Sequence, residues 1–360
     1  MRKIGIVAAV VFVASWMFSL LCMHAAGQAG WKMEEENQNV ISESVVYENN
    51  QKGSEETAGW NGNSHSADQG DGEAYSRRII LERYGVRTYL SVEDYLPGVM
   101  VCQTGPEMGM EALKCQAVIA RTYIYRQMGD REEIQEEELD LDYLGDDTAR
   151  AGNTLTVHQK EELAKRLEQC RQASEATAGV VMKYEERYIL PLFHERSAGR
   201  TRTGEADYPY LQSAESRWDV EDGGAEIRTA DGDATGVSEV SFSLSEFAQR
   251  IKNFSDAPSL DPERLSSDIQ IVKRDDAGYV LQIKIGPRTY TGDDVQYALD
   301  LPSTCFTIDT RISGTIAVTV KGCGHGYGLS QNGAQAMAEE GWSYSDILNY
   351  YYKNISLVTE

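Results

Sequence analysis

The chain has little of what would cross-link a fold or hold a structural metal. Its 360 residues include six cysteines and five histidines. No Cys-x-x-Cys pair occurs and the histidines are scattered, so spacing argues against a structural zinc site and a disulfide scaffold. Positive charge is also scarce, with 34 Lys and Arg against 57 Asp and Glu and a formal net charge of -23. Neutralising a phosphate backbone takes clustered Lys and Arg, so nucleic acid is excluded as a partner and neutral or locally cationic polymers fit better. The acidic run Arg131 to Arg150 lacks the alternating ligands and glycine of a calcium loop. It reads as a solvated, partly disordered insertion. No metal or cofactor is expected.

One long uncharged stretch, Ile4 to Met23, follows Arg2 and Lys3. Its length suits a helix spanning a hydrocarbon core, and the short basic flank places the remainder outside the cytoplasm. A cleaved signal peptide is the competing reading, given the small residues from Ala25 to Ala29. The expectation is a membrane anchor over residues 1–27. Residues 28–77 are rich in Glu, Asn, Gln, Ser and Gly and too poor in aliphatic side chains to offset their ordering entropy. As a flexible tether of roughly 50 residues they span about 40 Å.

The folded part is expected over residues 78–360. "RRIILERYGVRTYLSV" predicts a hairpin turning at Tyr84-Gly85, and "VEDYLPGVMVCQ" a short helix with Pro97 near its start. A longer helix is expected from about Glu107 to Met128. Met110, Leu113, Ala117, Ala120 and Ile124 give it one buried stripe. Glu107, Lys114 and Arg121 share another face, which reads as solvent-exposed and salt-bridged or as a polar cleft wall. Further hairpins turn at Glu185-Glu186 and near Asp276 to Gly278. "TGDDVQYALDL" is a short helix, and two strands follow from Cys305 to Lys321. Cys305 and Cys323 flank these strands and are candidates to pair in an oxidising compartment. Last come a glycine-rich loop, a helix from about Leu329 to Glu340, and another from Ser343 to Lys353. Runs of strands and helices without strict alternation indicate α+β: mixed helices and antiparallel hairpins around a groove, preceded by a transmembrane helix and a disordered linker.

Four blocks in order, "VEDYLPGVMVCQTGPEMGMEALKCQAVIARTYIYRQM", "LFHERSAGRT", "YPYLQSAESRWD" and "GCGHGYGLSQNGAQAMAEEGWSYSDILNYYYKNISL", resemble the stage II sporulation protein D family (SpoIID/LytB). The N-terminal block of that family would cover about 78–190. The resemblance implies a sporulation protein of the cell membrane that acts during forespore engulfment. Its partners would be a cell-wall amidase and a membrane scaffold, and its substrate peptidoglycan glycan stripped of stem peptides. The implied reaction is lytic transglycosylation, in which the sugar's own 6-hydroxyl displaces the leaving group and leaves a 1,6-anhydro end. That needs one protonated carboxylic acid in a groove. Relatives of the LytB branch enhance an amidase instead.

The family's acid is a glutamate eight residues before the glutamate of the "EALK" block. That block's glutamate is Glu111 here, so the acid position holds Gln103, an amide with no proton to release. Glu107 and Glu111 are the carboxylates near enough in sequence to replace it; the alternatives are a glycan-binding enhancer without catalysis, or another proton donor acting through water held by Gln103. By the same resemblance Lys114, Arg121, His194, Ser197, His325, Ser330 and Gln331 are candidate substrate contacts. Ser330 and Gln331 also stand where a helix N-cap is needed, and Tyr123 reads as core. Five glycines between Gly322 and Gly333 suit a loop that presents His325 to the groove.

Overall fold

The Tyr84-Gly85 signal does produce a hairpin, β1 (Arg78–Arg83) with β2 (Val86–Ser91). Both turn residues hold positive φ, 54° and 77°, as a two-residue turn matched to the strand twist requires. The structure is a computed structural model that describes residues 77–145, 155–220, 236–255, 260–261, 264–312 and 314–360. The expected anchor (1–27) lies outside the described residues, as does the linker up to residue 76. Among the described residues no helix is long and apolar enough to cross a membrane.

Ser91 caps the next helix, Val92–Gln103, by accepting from the Asp94 N–H at 3.0 Å. Pro97 stands in the middle of this helix and not near its start. The long helix begins at Met110, and Glu107 stays in the turn before it. Leu113, Ala117, Ala120 and Ile124 are buried as the stripe predicts, whereas Met110 at its start is exposed, and Cys115, Gln116, Val118, Ile119, Arg121 and Thr122 are buried as well. Met110–Met128 is therefore a central helix, wrapped by Val92–Gln103, Val157–Glu175, Gln331–Glu339 and Tyr344–Tyr351. Tyr123 belongs to this core, its hydroxyl donating to the Leu139 carbonyl at 2.9 Å.

The middle of the chain departs from expectation at two places, and residues 146–150 of the acidic run lie outside the described residues. The acidic run is ordered as far as it is described. Glu133–Gln135 forms β3, parallel to β1, and Glu136–Leu139 a single helical turn. Tyr143 then stacks on Tyr95 with ring centroids 4.3 Å apart. The alternation of buried Ile134 and Leu139 with acidic neighbours is too short to register as a pattern. The helix Val157–Glu175 is not anticipated at all. It starts from a capping box in which Thr156 accepts from the Gln159 N–H while the Gln159 side chain accepts from the Thr156 N–H at 2.8 Å. It buries little beyond Cys170, Ala173 and Ser174, so its composition hides it.

β4 (Val180–Tyr184) lies between β5 (Arg187–Tyr188) and the C-terminal strand Ser356–Thr359. β6 (Phe193–His194) pairs in parallel with Leu329–Ser330, so the expected helix at Leu329 starts only at Gln331. The last helix runs Tyr344–Tyr351 with Ser343 as its cap.

A second hydrophobic core is built by residues between Val237 and Lys321. It contains a sheet of Val237–Ser243, Thr315–Lys321 and Phe306–Asp309, and a second of Ile269–Arg274, Val280–Ile285 and Arg288–Thr291. Helices Leu244–Ser255 and Gly292–Leu299 pack with them. Its two ends meet where the Gly322 N–H donates to the Gly236 carbonyl at 2.8 Å. The module is thus an insertion, and the chain returns through the glycine loop to the first core. The antiparallel pairs in both parts fit the α+β expectation. Cys305 and Cys323 form no disulfide with one another, and Cys102, Cys115, Cys170 and Cys305 are free thiols. The Cys305 thiol instead faces the Gly278 carbonyl at 3.6 Å, while the Cys323 backbone exchanges hydrogen bonds with Arg196.

Candidate functional site

Gln103 ends the Val92–Gln103 helix and joins a relay of three side-chain amides. Gln331 Nε2 donates to the Gln103 backbone carbonyl at 2.8 Å and to Gln116 Oε1 at 3.3 Å. Gln116 Nε2 donates to Gln103 Oε1 at 2.6 Å. A backbone carbonyl can only accept, so Gln331 must turn its nitrogen inward, and each following amide is oriented in turn. The consequence falls on Gln103. Its oxygen is engaged, and its NH2 faces away and meets no acceptor among the described residues. Gln116 and Gln331 are buried and Gln103 is half-buried, so the free donor stands at the open end of the relay. Gln116 was not singled out by sequence, although it lies in the "EALKCQA" block.

Neither of the two carboxylates proposed as substitutes hydrogen-bonds within this relay. Glu111 Oε1 pairs with Lys114 Nζ at 2.6 Å, and Oε2 accepts from the Tyr344 N–H at 2.8 Å. It thereby closes the N-terminus of the Tyr344–Tyr351 helix from across the interface. Partial burial pushes its carboxyl up, but the Lys114 ammonium and the Tyr344 N–H together outweigh that and hold it below the usual range. Such a group is ionised at neutral pH and has no proton to give. Glu107 is exposed in the turn before the helix. Lys114 is tied to Glu111, with the Tyr344 ring 6.0 Å away.

Arg121 is not on a solvent face and is not placed to touch a ligand. Its side chain is 0 % exposed and forms a two-pronged pair with Glu93, Nε to Oε1 at 2.7 Å and Nη2 to Oε2 at 2.6 Å. It also donates to the carbonyls of Val180 and Ser174. Its spacing from Lys114 put it on one face with Glu107, but the whole circumference of the helix is enclosed at that level.

Next to Gln331 the chain builds a second polar centre on a residue that sequence did not single out. Asp219, buried at the end of the "YPYLQSAESRWD" block, accepts four hydrogen bonds. Ser197 donates to Oδ2 from its N–H at 2.9 Å and its hydroxyl at 2.5 Å. The Ser330 hydroxyl and Asn332 Nδ2 donate to Oδ1 at 2.9 and 3.0 Å. Ser330 also accepts from the Gly333 N–H as N-cap. Both candidate serines are fully buried and serve Asp219. Neither is available to attack a substrate. Only the Asp at the end of "SRWD" could have hinted at the centre, and burial was invisible in the sequence.

The two histidines come together, ring centroids 5.7 Å apart. His194 Nδ1 must carry a proton, because it faces the Tyr327 carbonyl at 3.1 Å. Its Nε2 is buried with no partner among the described residues. Burial lowers its proton affinity to a pKa of about 4, against the opposing pull of Asp219 and of the Tyr327 carbonyl. His325 is half-buried, and its Nδ1 accepts from the Tyr327 N–H at 2.9 Å. Its affinity is held well below the usual range, by burial first and then by the charges of His194 and Arg202. A hydrogen bond to the Phe193 carbonyl acts the other way. With both nitrogens engaged inside the protein, His325 shapes the loop instead of presenting itself to a ligand.

The glycines make that shape possible. At Gly328, φ is +70° and a Cβ would lie 1.8 Å from the Leu192 carbonyl oxygen; at Gly326 it would meet the Tyr279 ring at 2.5 Å. The loop is thus clamped between the two cores. Among the described residues no group of three His, Cys, Asp or Glu side chains could hold a metal ion.

These features define an α+β protein whose polar centre is made of oriented amides and one buried carboxylate. The stage II sporulation protein profile (SpoIID) matches residues 82–184. Stage II sporulation protein D of Bacillus subtilis (strain 168) is 31% identical over 282 residues, 74% of each chain. That of Bacillus amyloliquefaciens is 30% identical over 279 residues, again 74% of each. A shorter stretch of 42 residues is 52% identical to the amidase enhancer of B. subtilis, covering 12% of this chain and 6% of that protein. The chain belongs to the stage II sporulation protein D family.

Proposed function

We propose that the protein engages peptidoglycan glycan strands during sporulation as a binding partner of the wall machinery, without cutting them by the family's acid route. Gln103 carries this reading. The relay fixes its NH2 outward, where a protonated acid at the same place would present its O–H. A hydrogen bond to a sugar oxygen is retained, while proton transfer to a leaving oxygen is lost. The neighbouring carboxylates do not restore it, since Glu111 is held ionised and Glu107 is exposed in a separate turn. The stretch similar to an amidase enhancer supports a role beside a cell-wall amidase. The uncharged run Ile4 to Met23 supports a single-pass anchor with the domain outside the cytoplasm.

The test is incubation of the purified protein with peptide-free glycan strands, with mass spectrometry for 1,6-anhydro ends. Binding without anhydro ends is expected from the natural protein, and their appearance with Gln103→Glu. Anhydro ends from the natural protein would mean that another group supplies the proton, and the non-cutting reading would fall.

A further inference from the structure

Among the described residues, every acidic side chain that is buried or half-buried has a partner, with one exception. Glu93 pairs with Arg121, Glu111 with Lys114, Glu136 with Arg83 and Asp275 with Arg202. The others each bond a nearby cation or hydrogen-bond donor. The exception is Glu195, which is half-buried and makes neither a hydrogen bond nor an ion pair through its carboxylate. A partly desolvated carboxylate without a partner costs stability. A fold that satisfies all the rest leaves this one open.

The strand register fixes where Glu195 stands. His194 lies opposite Ser330 in the parallel pair, and just beyond it the Asn332 N–H donates to the Glu195 carbonyl at 3.0 Å. Glu195 is therefore level with Gln331, about 5 Å away across the pair. Side chains alternate along a strand. Those of His194 and Ser330 turn to one side, toward the Tyr327 carbonyl and Asp219. Glu195 and Gln331 leave on the other, the side on which Phe193 and Leu329 pack into the first core. There Gln331 Nε2 meets the Gln103 carbonyl at 2.8 Å. Glu195 thus flanks the amide relay at the end where the Gln103 NH2 is also unengaged, and every member of the group belongs to the first core.

We propose that Glu195 with Gln103 selects a cationic ligand, an amino sugar whose nitrogen has lost its acetyl group and carries a free ammonium. The ammonium donates to the Glu195 carboxylate, while a neighbouring hydroxyl oxygen accepts from the Gln103 NH2. An N-acetylated sugar brings no charge to the carboxylate and has a single N–H to offer. The inference rests on the glycan-binding reading above and adds the charge of the ligand to it. The reaction that supplies such a ligand is hydrolysis of the acetamide, in which water cleaves the C–N bond, acetate leaves and the freed amine takes up a proton. A bound ammonium also favours the ionised form of the carboxylate. The contact that selects the ligand therefore leaves no proton to cleave it.

The test is titration calorimetry of the full chain with a glucosamine tetramer and with an N-acetylglucosamine tetramer. The natural protein is expected to bind the first about tenfold more tightly, the worth of one charge-assisted hydrogen bond. Glu195→Gln should bring that ratio close to one. The substitution changes a net charge of -23 by a single unit, so a general attraction of the acidic chain for a polycation survives it. A preference that persists in the variant overturns the inference, as does equal binding of the two tetramers by the natural protein. Glycan binding stands in both cases. If the natural protein binds neither tetramer, both readings fall together. Anhydro ends formed by the natural protein and lost in Glu195→Gln would make Glu195 an acid and overturn its role as a cation's partner.

Discussion

Gln116 and Gln103 are joined by one 2.6 Å hydrogen bond, and its direction decides which end of the Gln103 amide is free. Gln116→Leu removes the donor that holds the Gln103 oxygen, so the amide can rotate. We expect glycan affinity to fall by about tenfold, although Gln116 is 1 % exposed and has no access to a ligand. Calorimetric titration of the variant checks this. A Gln103→Glu, Gln116→Leu double variant should also yield fewer anhydro ends than Gln103→Glu alone. Equal yields would show that the relay does not position the group at 103.

Arg121 and Glu93 hold the helices of the first core together. Removing Arg121 leaves the Glu93 carboxylate with the Ser174 hydroxyl and the Gly179 N–H as its remaining donors, which cannot fully compensate. Arg121→Met should cost about 3–5 kcal/mol in urea denaturation, the usual result of breaking a buried pair from one side. Arg121→Lys should recover only part of that, because an ammonium cannot reproduce the two-pronged geometry. Replacing both partners, Glu93→Leu with Arg121→Met, should cost less than the single change. A single variant as stable as the natural protein would mean that the pair contributes nothing.

These residues also mark how far the sequence could be read. The hairpins at Tyr84-Gly85 and Glu185-Glu186 were legible because turn chemistry is local, and so was the buried stripe from Leu113 to Ile124. The Val157–Glu175 helix was not, since its few buried side chains leave a polar sequence with no stripe. Arg121 was misplaced for a related reason: periodicity gives a helix's faces but not the number of neighbours around it. Gln103 stood out by comparison with the family's motif. Its partner Gln116 and the centre Asp219 did not, because a buried polar residue is recognised by what surrounds it, and those contacts join segments as much as 215 residues apart. His325 stood out for its setting among glycines, but that setting concerns the backbone and not a ligand.

The buried histidines make a sign-specific prediction for pH. His194 binds a proton in the folded chain only near pH 4, against 6.5 as its ordinary value. Between those values the unfolded chain takes up a proton that the folded chain refuses, so acid favours unfolding. The stability is complete above pH 6.5 and falls as pH drops through the window toward 4. Integrated over that window, one such group contributes roughly 3 kcal/mol at the upper end, and His325 acts in the same direction. Urea midpoints should therefore be lower at pH 5 than at pH 7. His194→Gln keeps a donor for the Tyr327 carbonyl but has nothing to titrate, so its midpoints should differ less between the two pH values. A variant that keeps the full difference would assign the acid sensitivity to other groups, the carboxylate ion pairs first among them.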